Sequence, residues 1–178
     1  MNYALGVKEI HDEIEIGAPE DVVALLAEYR DLPREVLLVL HLDSNFDAKA
    51  VQTSAIGNRQ TCCYHSRDIW KIALSREDTD AIILVHNHPQ EKIVVPSPMD
   101  VDCTKRTYIV GEAAGIPLLD HIVLGKRDWY SFMKRGNYFG KRDIYRVEWQ
   151  TQTVHKKSKK NMFRKKVDRV LGKPFVLE

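Results

Sequence analysis

Two stretches of the chain are apolar almost without interruption. REVLLVLHLD over 34–43 and DAIILVHNH over 80–88 are rich in β-branched and leucine side chains, and each is bounded by polar residues. Runs of this length and composition predict strands buried on both faces. The turn-like SNFD follows the first, and AKAVQTSAIG over 48–57 is the expected antiparallel partner. IPLLDHIVLG and DWYSFMKRG predict two more strands, joined by a short KR turn. Three segments carry helical spacing instead. In APEDVVALLAEYRDLP, Pro19 suits a first-turn position and Val22, Val23, Leu25 and Leu26 form a stripe that Pro33 ends. SRDIWKIALSRED predicts a helix capped by Ser66, with Ile69, Trp70, Ala73 and Leu74 on one side. PSPMDVDCTKRTYIVGEAAG predicts a longer helix ended by Gly115. Helices alternating with strands, two strand pairs having short connections, predict a mixed α/β or α+β sheet with flanking helices.

Composition narrows the class without naming a function. A chain of 178 residues fits one domain with a short preface or tail, and 44% hydrophobic residues suffice for a packed core. No apolar run is long enough to span a membrane, and the first residues lack the basic-then-apolar pattern of a secretory leader. Cys62, Cys63 and Cys103 are odd in number and show no CxxC spacing. A reduced, cytoplasmic chain is therefore expected. The net charge of +2 conceals segregation: residues 151–178 carry nine Lys/Arg and two acidic residues, while the rest of the chain is net acidic. Such a tail suits either solvent or the backbone of a nucleic acid, bound without sequence preference.

The candidate chemistry lies in VHNHPQEKIVVPSPMD, residues 85–100. Residues i and i+2 of an extended chain share a side, so His86 and His88 can aim at one point beyond the strand. Imidazoles are good zinc ligands, but the pair can equally just end a strand. Ser97-Pro98-Met99-Asp100 fits a capping box, with Ser97 at N-cap, Pro98 at N1 and Asp100 at N3. A helix start is also a rigid place from which to aim a carboxylate at a metal. Three protein ligands would leave a position for water, as in catalytic zinc sites. A base for that water would be Glu35, although spacing alone does not select it over Glu77 or Glu91.

Together, Glu35, His86-x-His88-Pro89 and Ser97-x-x-Asp100 resemble the JAMM motif of JAB/MPN-domain metalloproteins, most nearly the RadC-type branch. GAPEDVVALL, EVLLVLHLDSNFD, YHSRDIWKIAL and GIPLLDHIVLG with WYSF resemble further stretches of that branch, so the likeness covers about residues 17–135. It implies a mainly antiparallel α/β sheet of JAB/MPN-like, cytidine-deaminase-like architecture. It also implies a Zn²⁺ site with His86, His88 and Asp100 as ligands. Glu35 would be general base and then proton donor, and Ser97 would stabilise the oxyanion of a tetrahedral intermediate. The implied activity is hydrolysis of peptide or isopeptide bonds in a peptide or protein substrate. The branch also carries a label of DNA repair and an association with mobile elements, which implies as alternative a DNA-associated accessory protein.

The loop between His88 and Ser97 departs from the family pattern. It has eight residues where seven are usual, and Pro-Gln-Glu stands in place of Pro-Ser-Gly. Serine 66 stands where the branch often has proline. A zinc deaminase also needs Pro-Cys-x-x-Cys, which is absent. His65 and His121 match branch histidines, and structural roles are expected for both. The organisation expected is a lead-in over 1–16, a JAB/MPN-like domain over 17–140, and a basic tail over 141–178. No membrane partner is expected, and the sequence assigns no oligomeric state.

Overall fold

The computed structural model describes residues 5–57 and 65–135. The basic tail, Cys62 and Cys63, and the expected domain boundary at 140 lie outside the described residues.

The described residues form six strands and three α-helices. In order these are β1 (Gly6–Glu9), α1 (Pro19–Leu25), β2 (Val36–Leu42), β3 (Ala48–Ile56), α2 (Ser66–Ala73), β4 (Ala81–Asn87), α3 (Pro98–Ala114), β5 (Leu118–Leu124) and β6 (Trp129–Ser131). They make one sheet in the order β1-β3-β2-β4-β5-β6. Every neighbouring pair is antiparallel except β4 and β5, which are parallel. A parallel pair needs a crossover, and α3 supplies it. The mixed, mainly antiparallel α/β sheet expected from the sequence is the one observed.

Alternation along the central strands builds two cores. Val36, Leu38, Leu40 and Leu42 of β2, with Ala81, Ile83 and Val85 of β4, pack with Val22 and Leu26 on one face. Leu37 and Val39, with Ile82 and Leu84, pack on the other face with Ile69, Trp70 and Ala73 of α2 and Cys103 of α3. Because β2 and β4 are covered on both sides, all of their residues are buried. This is why they read as unbroken apolar runs. The odd members in those runs are polar and paired. His41 is wholly buried, with Nδ1 3.2 Å from Thr79 Oγ1 and Nε2 3.1 Å from Gln52 Oε1.

The crossover brings α3 very close to the sheet. A Cβ on Gly111 would lie 2.7 Å from the Ile116 carbonyl oxygen and 3.3 Å from the Leu118 nitrogen, both backbone atoms that cannot step aside. Gly111→Ala is therefore expected to destabilise the fold by about 2 kcal/mol, because overpacking outweighs the better helix propensity of alanine. The urea midpoint measures it; an unchanged or higher midpoint contradicts the close approach.

Three local expectations are corrected. The helix expected over 18–33 stops at Leu25 and continues as a 3-10 turn over Ala27–Asp31. Tyr29 is buried there, and Arg30 Nη1 donates to the carbonyl oxygens of Gly125 and Asp128 at 3.0 and 3.3 Å. These tertiary anchors tighten the last turn. Helix α2 begins at Ser66 with His65 in the cap position, so Ser66 is not the N-cap, and no side chain caps that end. Finally, the lead-in supplies strand β1, paired to β3 on the sheet edge. Helix α3 agrees with expectation: Ser97 is its N-cap, and Gly115 closes it with φ of 73°.

Candidate metal centre

Strand β4 delivers both histidines to the α3 side of the sheet, since His86 follows Ile82 and Leu84 on that face. Asp100 arrives from the first turn of α3. Ligand atoms of His86, His88 and Asp100 all lie within 4.8 Å of one another. His86 Nε2 is 3.0 Å from His88 Nε2 and 3.1 Å from Asp100 Oδ1, and His88 Nε2 is 3.5 Å from Asp100 Oδ2. Tetrahedral zinc with bonds near 2.0–2.1 Å sets its ligand atoms about 3.3 Å apart. The observed spacings bracket that value, and the donor set of two imidazoles and a carboxylate suits zinc.

The two readings of Ser97-x-x-Asp100 hold at once. The Ser97 backbone N–H donates to Asp100 Oδ2 at 2.6 Å, and the Asp100 N–H donates to Ser97 Oγ at 3.2 Å. Meanwhile Asp100 Oδ1 faces His86. The capping box thus locks the carboxylate that points at the histidines. Because Ser97 Oγ acts as acceptor in the cap, its own hydroxyl proton remains to be donated.

A chain of hydrogen bonds behind His86 decides where its proton sits. Thr104 Oγ1 donates to the Asp100 carbonyl oxygen at 2.6 Å, which uses its single proton. The 2.6 Å contact between Thr104 Oγ1 and His121 Nδ1 must then be donated by His121. Burial, reinforced by the charge of His86, pushes the His121 imidazole well below its usual range, so it is neutral. With its proton on Nδ1, its Nε2 is an acceptor, and His86 Nδ1 donates to it at 2.8 Å. His86 Nδ1 is thereby engaged with His121, and Nε2 is the ring atom that faces Asp100 and His88. His121 itself is wholly buried and stacked on Phe132 with centroids 5.1 Å apart. It is a core residue and also the partner that orients His86, a kind of contact that fixes ring orientation behind metal-binding histidines. No sequence pattern marks Thr104, which reaches the site one helical turn beyond Asp100.

Charge at the centre is tightly balanced. Burial pushes the Asp100 carboxyl up, but hydrogen bonds from His86, His88 and the Ser97 backbone outweigh it and hold it well below the carboxylate range. Burial pushes His88 down, but the Asp100 and Glu91 carboxylates hold it protonated up to about 9. Glu91 Oε2 lies 3.1 Å from His88 Nδ1. That contact is an ion pair out of line for a hydrogen bond. The metal-free protein thus holds a proton among acceptor atoms that a cation would share, and a metal must displace it.

Glu35 is 9% exposed and lies just before β2. Burial raises its carboxyl pKa, while the charges of His88 and His86 lower it and those of Asp100 and Glu91 raise it. The carboxylate thus sits in the field of the ligand cluster without being a member of it. Of the three glutamates considered as base, Glu91 is instead the neighbour of His88. His65 is exposed and is not brought to the centre.

A sheet of this topology, with two histidines at a strand end and an aspartate in the following helix start, defines a JAB-type fold. A family model described as RadC-like JAB domain matches residues 16–137, and the chain belongs to that family. It is similar to a UPF0758 protein of Desulforamulus reducens, at 39% identity over 68% of this chain and 53% of the relative. A UPF0758 protein of Caldanaerobacter subterraneus is 37% identical over 71% of this chain and 54% of the relative. A third, from Staphylococcus haemolyticus, is 34% identical over 76% and 59%. The chain therefore spans little more than half the length of the curated relatives it matches. Among the described residues, no helix is long and apolar enough to cross a membrane.

Proposed function

We propose that the chain is a zinc-dependent hydrolase of the JAMM type, acting on peptide or isopeptide bonds. The observation that supports this most is the convergence of His86, His88 and Asp100, with the His86 ring held from behind by its Nδ1 contact to His121. Bound zinc would supply Lewis-acid polarisation and a water nucleophilic at neutral pH. The chain's residues account for the rest. His86, His88 and Asp100 hold the ion. Glu35, buried and beside the cluster, takes the proton from water and returns it to the leaving amine. A carboxyl pKa raised by burial suits a group that must both accept and release a proton. Ser97 donates its remaining hydroxyl proton to the developing oxyanion.

The test uses chelator-free protein reloaded with zinc and a panel of peptides, some joined through lysine side chains. Zinc-dependent cleavage is expected. Glu35→Gln should keep zinc and lose at least about 100-fold in rate, the usual contribution of a general base. A wild-type protein that holds no zinc at saturating metal sinks the proposal, and so does a Glu35→Gln variant that cleaves like wild type.

Charge segregation supports a second reading, a DNA-associated accessory role through residues 151–178. Phosphate contacts would give binding a steep dependence on salt. Equal affinity for duplex DNA after deletion of residues 151–178 removes the tail from that role.

A further inference from the structure

The middle residue of His86-Asn87-His88 is wholly buried and faces away from the two histidines. Its side chain makes two hydrogen bonds to the chain on either side of Glu35. The Val36 backbone N–H donates to Asn87 Oδ1 at 2.8 Å, and Asn87 Nδ2 donates to the Arg34 carbonyl oxygen at 3.0 Å. The orientation of the amide is unambiguous, because the N–H can meet only the oxygen and the carbonyl only the nitrogen. A third bond, from the Gly57 N–H to the Glu35 carbonyl oxygen at 2.8 Å, closes the set.

The location explains why a side chain is needed. The ladder between β2 and β4 ends with Leu37 opposite His86. Beyond that rung the strands must part, because His88 turns into the loop: its N–H goes to the Leu124 carbonyl oxygen, and its carbonyl accepts from Glu91. The chain at 34–36 would otherwise lose the partner of a buried N–H at Val36 and of a part-buried carbonyl at Arg34. Asn87 replaces the missing rung with its own amide.

We infer that Asn87 is a positioning residue that holds Glu35 in register with the metal ligands, tying the base and both histidines to one strand end. This rests on the hydrolase reading for the role of Glu35, while the clamp itself is independent of metal. The same strand end sets both partners: side chains 86 and 88 reach the cation on one face, and side chain 87 fixes the base-bearing strand from the other. Glu35 precedes Leu37 by two residues, so alternation turns its side chain to the face of the histidines.

Two measurements test it with the described chain. In metal-free protein, amide exchange followed residue by residue by NMR should show Val36 protected in wild type. In Asn87→Ala the Val36 amide should exchange at least about tenfold faster, with Leu38 and Leu40 unchanged, because only the local rung opens. In cobalt-loaded protein, the pH midpoint of the visible absorption change reports the surroundings of the ion. Asn87→Ala should move that midpoint in the same direction as Glu35→Gln and by at least half as much. The double variant should move no further than Glu35→Gln alone, since both act through one carboxylate. Asn87→Asp keeps the acceptor for Val36 but not the donor for Arg34, and an intermediate shift is expected; it also serves if the alanine variant does not fold. An unchanged Val36 amide, or midpoint shifts that add in the double variant, overturns the inference. A wild-type protein that takes up no cobalt removes the hydrolase reading, whereas selective loss of Val36 protection would still establish Asn87 as the clamp on Glu35.

Discussion

Alanine at His86 is expected to weaken zinc binding by more than about a thousandfold, beyond the 10–100-fold typical of partners behind a ligand. Three protein atoms form the donor set, and His86 Nε2 lies within 3.1 Å of both of the others. Its removal leaves one imidazole and one carboxylate, a pair that a competing chelator strips of metal. It also leaves the buried His121 Nε2 without its donor. Thr104→Val is the graded companion. It keeps the shape of the side chain but removes the hydroxyl that accepts from His121 and donates to the Asp100 carbonyl. Without it His121 is free to carry its proton on Nε2, which sets a donor against the His86 N–H. A loss of about 10–100-fold is expected. Competition with a chromophoric chelator reads both numbers. Wild-type affinity in His86→Ala would mean that the ion sits elsewhere, and wild-type affinity in Thr104→Val would mean that the hydrogen-bond chain does not set the tautomer.

The second large effect is on stability in acid and comes from the other end of the sheet. His41 is wholly buried near the far end of the central strand β2, and burial pushes its imidazole down to about 4. The hydrogen bond to Gln52 opposes this, as do Asp78 and Glu9, while Arg76 reinforces it. The folded state therefore keeps His41 neutral over a range in which the unfolded chain takes up a proton. Above about pH 6.5 both states are neutral and the full stability is present. As pH falls from 6.5 towards 4, proton uptake by the unfolded chain lowers stability by up to about 3 kcal/mol. His41→Gln removes the titration and keeps a polar side chain. Its stability should change less than that of wild type between pH 7 and 4.5, as measured by urea unfolding at each pH. The difference between the two proteins isolates His41 from Asp100 and the other groups that titrate in acid. Parallel pH profiles would show that His41 is already protonated in the folded protein.

The buried strands were legible because both of their faces are covered, so that composition alone marks them. Strand β1 was not, because all four of its residues are exposed and nothing in its pattern reports burial. The end of α1 was misjudged for a different reason. Its helical stripe continues through Leu26, and the break is imposed by where Tyr29 and Arg30 must go in the folded chain. At the site, the grouping of His86, His88 and Asp100 and the cap of α3 are readable because these residues are close in sequence and of diagnostic type. Thr104, Asn87 and the role of His121 were not, since each acts through a single hydrogen bond to a residue that only the sheet brings near. His121 was expected to be structural, and its packing on Phe132 is that; its bond to His86 adds the second role.

The ligand atoms come from one short segment between residues 86 and 100, whereas Glu35, His121 and Asn87's partners belong to other strands. The denatured chain therefore retains a tethered trio of ligand side chains, whose closure costs little entropy because the loops between them are short. Zinc would have some affinity for that chain as well as for the fold. Mass action then stabilises the native state only by the difference between the two affinities. That difference is the worth of the scaffold: the capping box on Asp100 and the oriented imidazole of His86, rather than the ligands themselves.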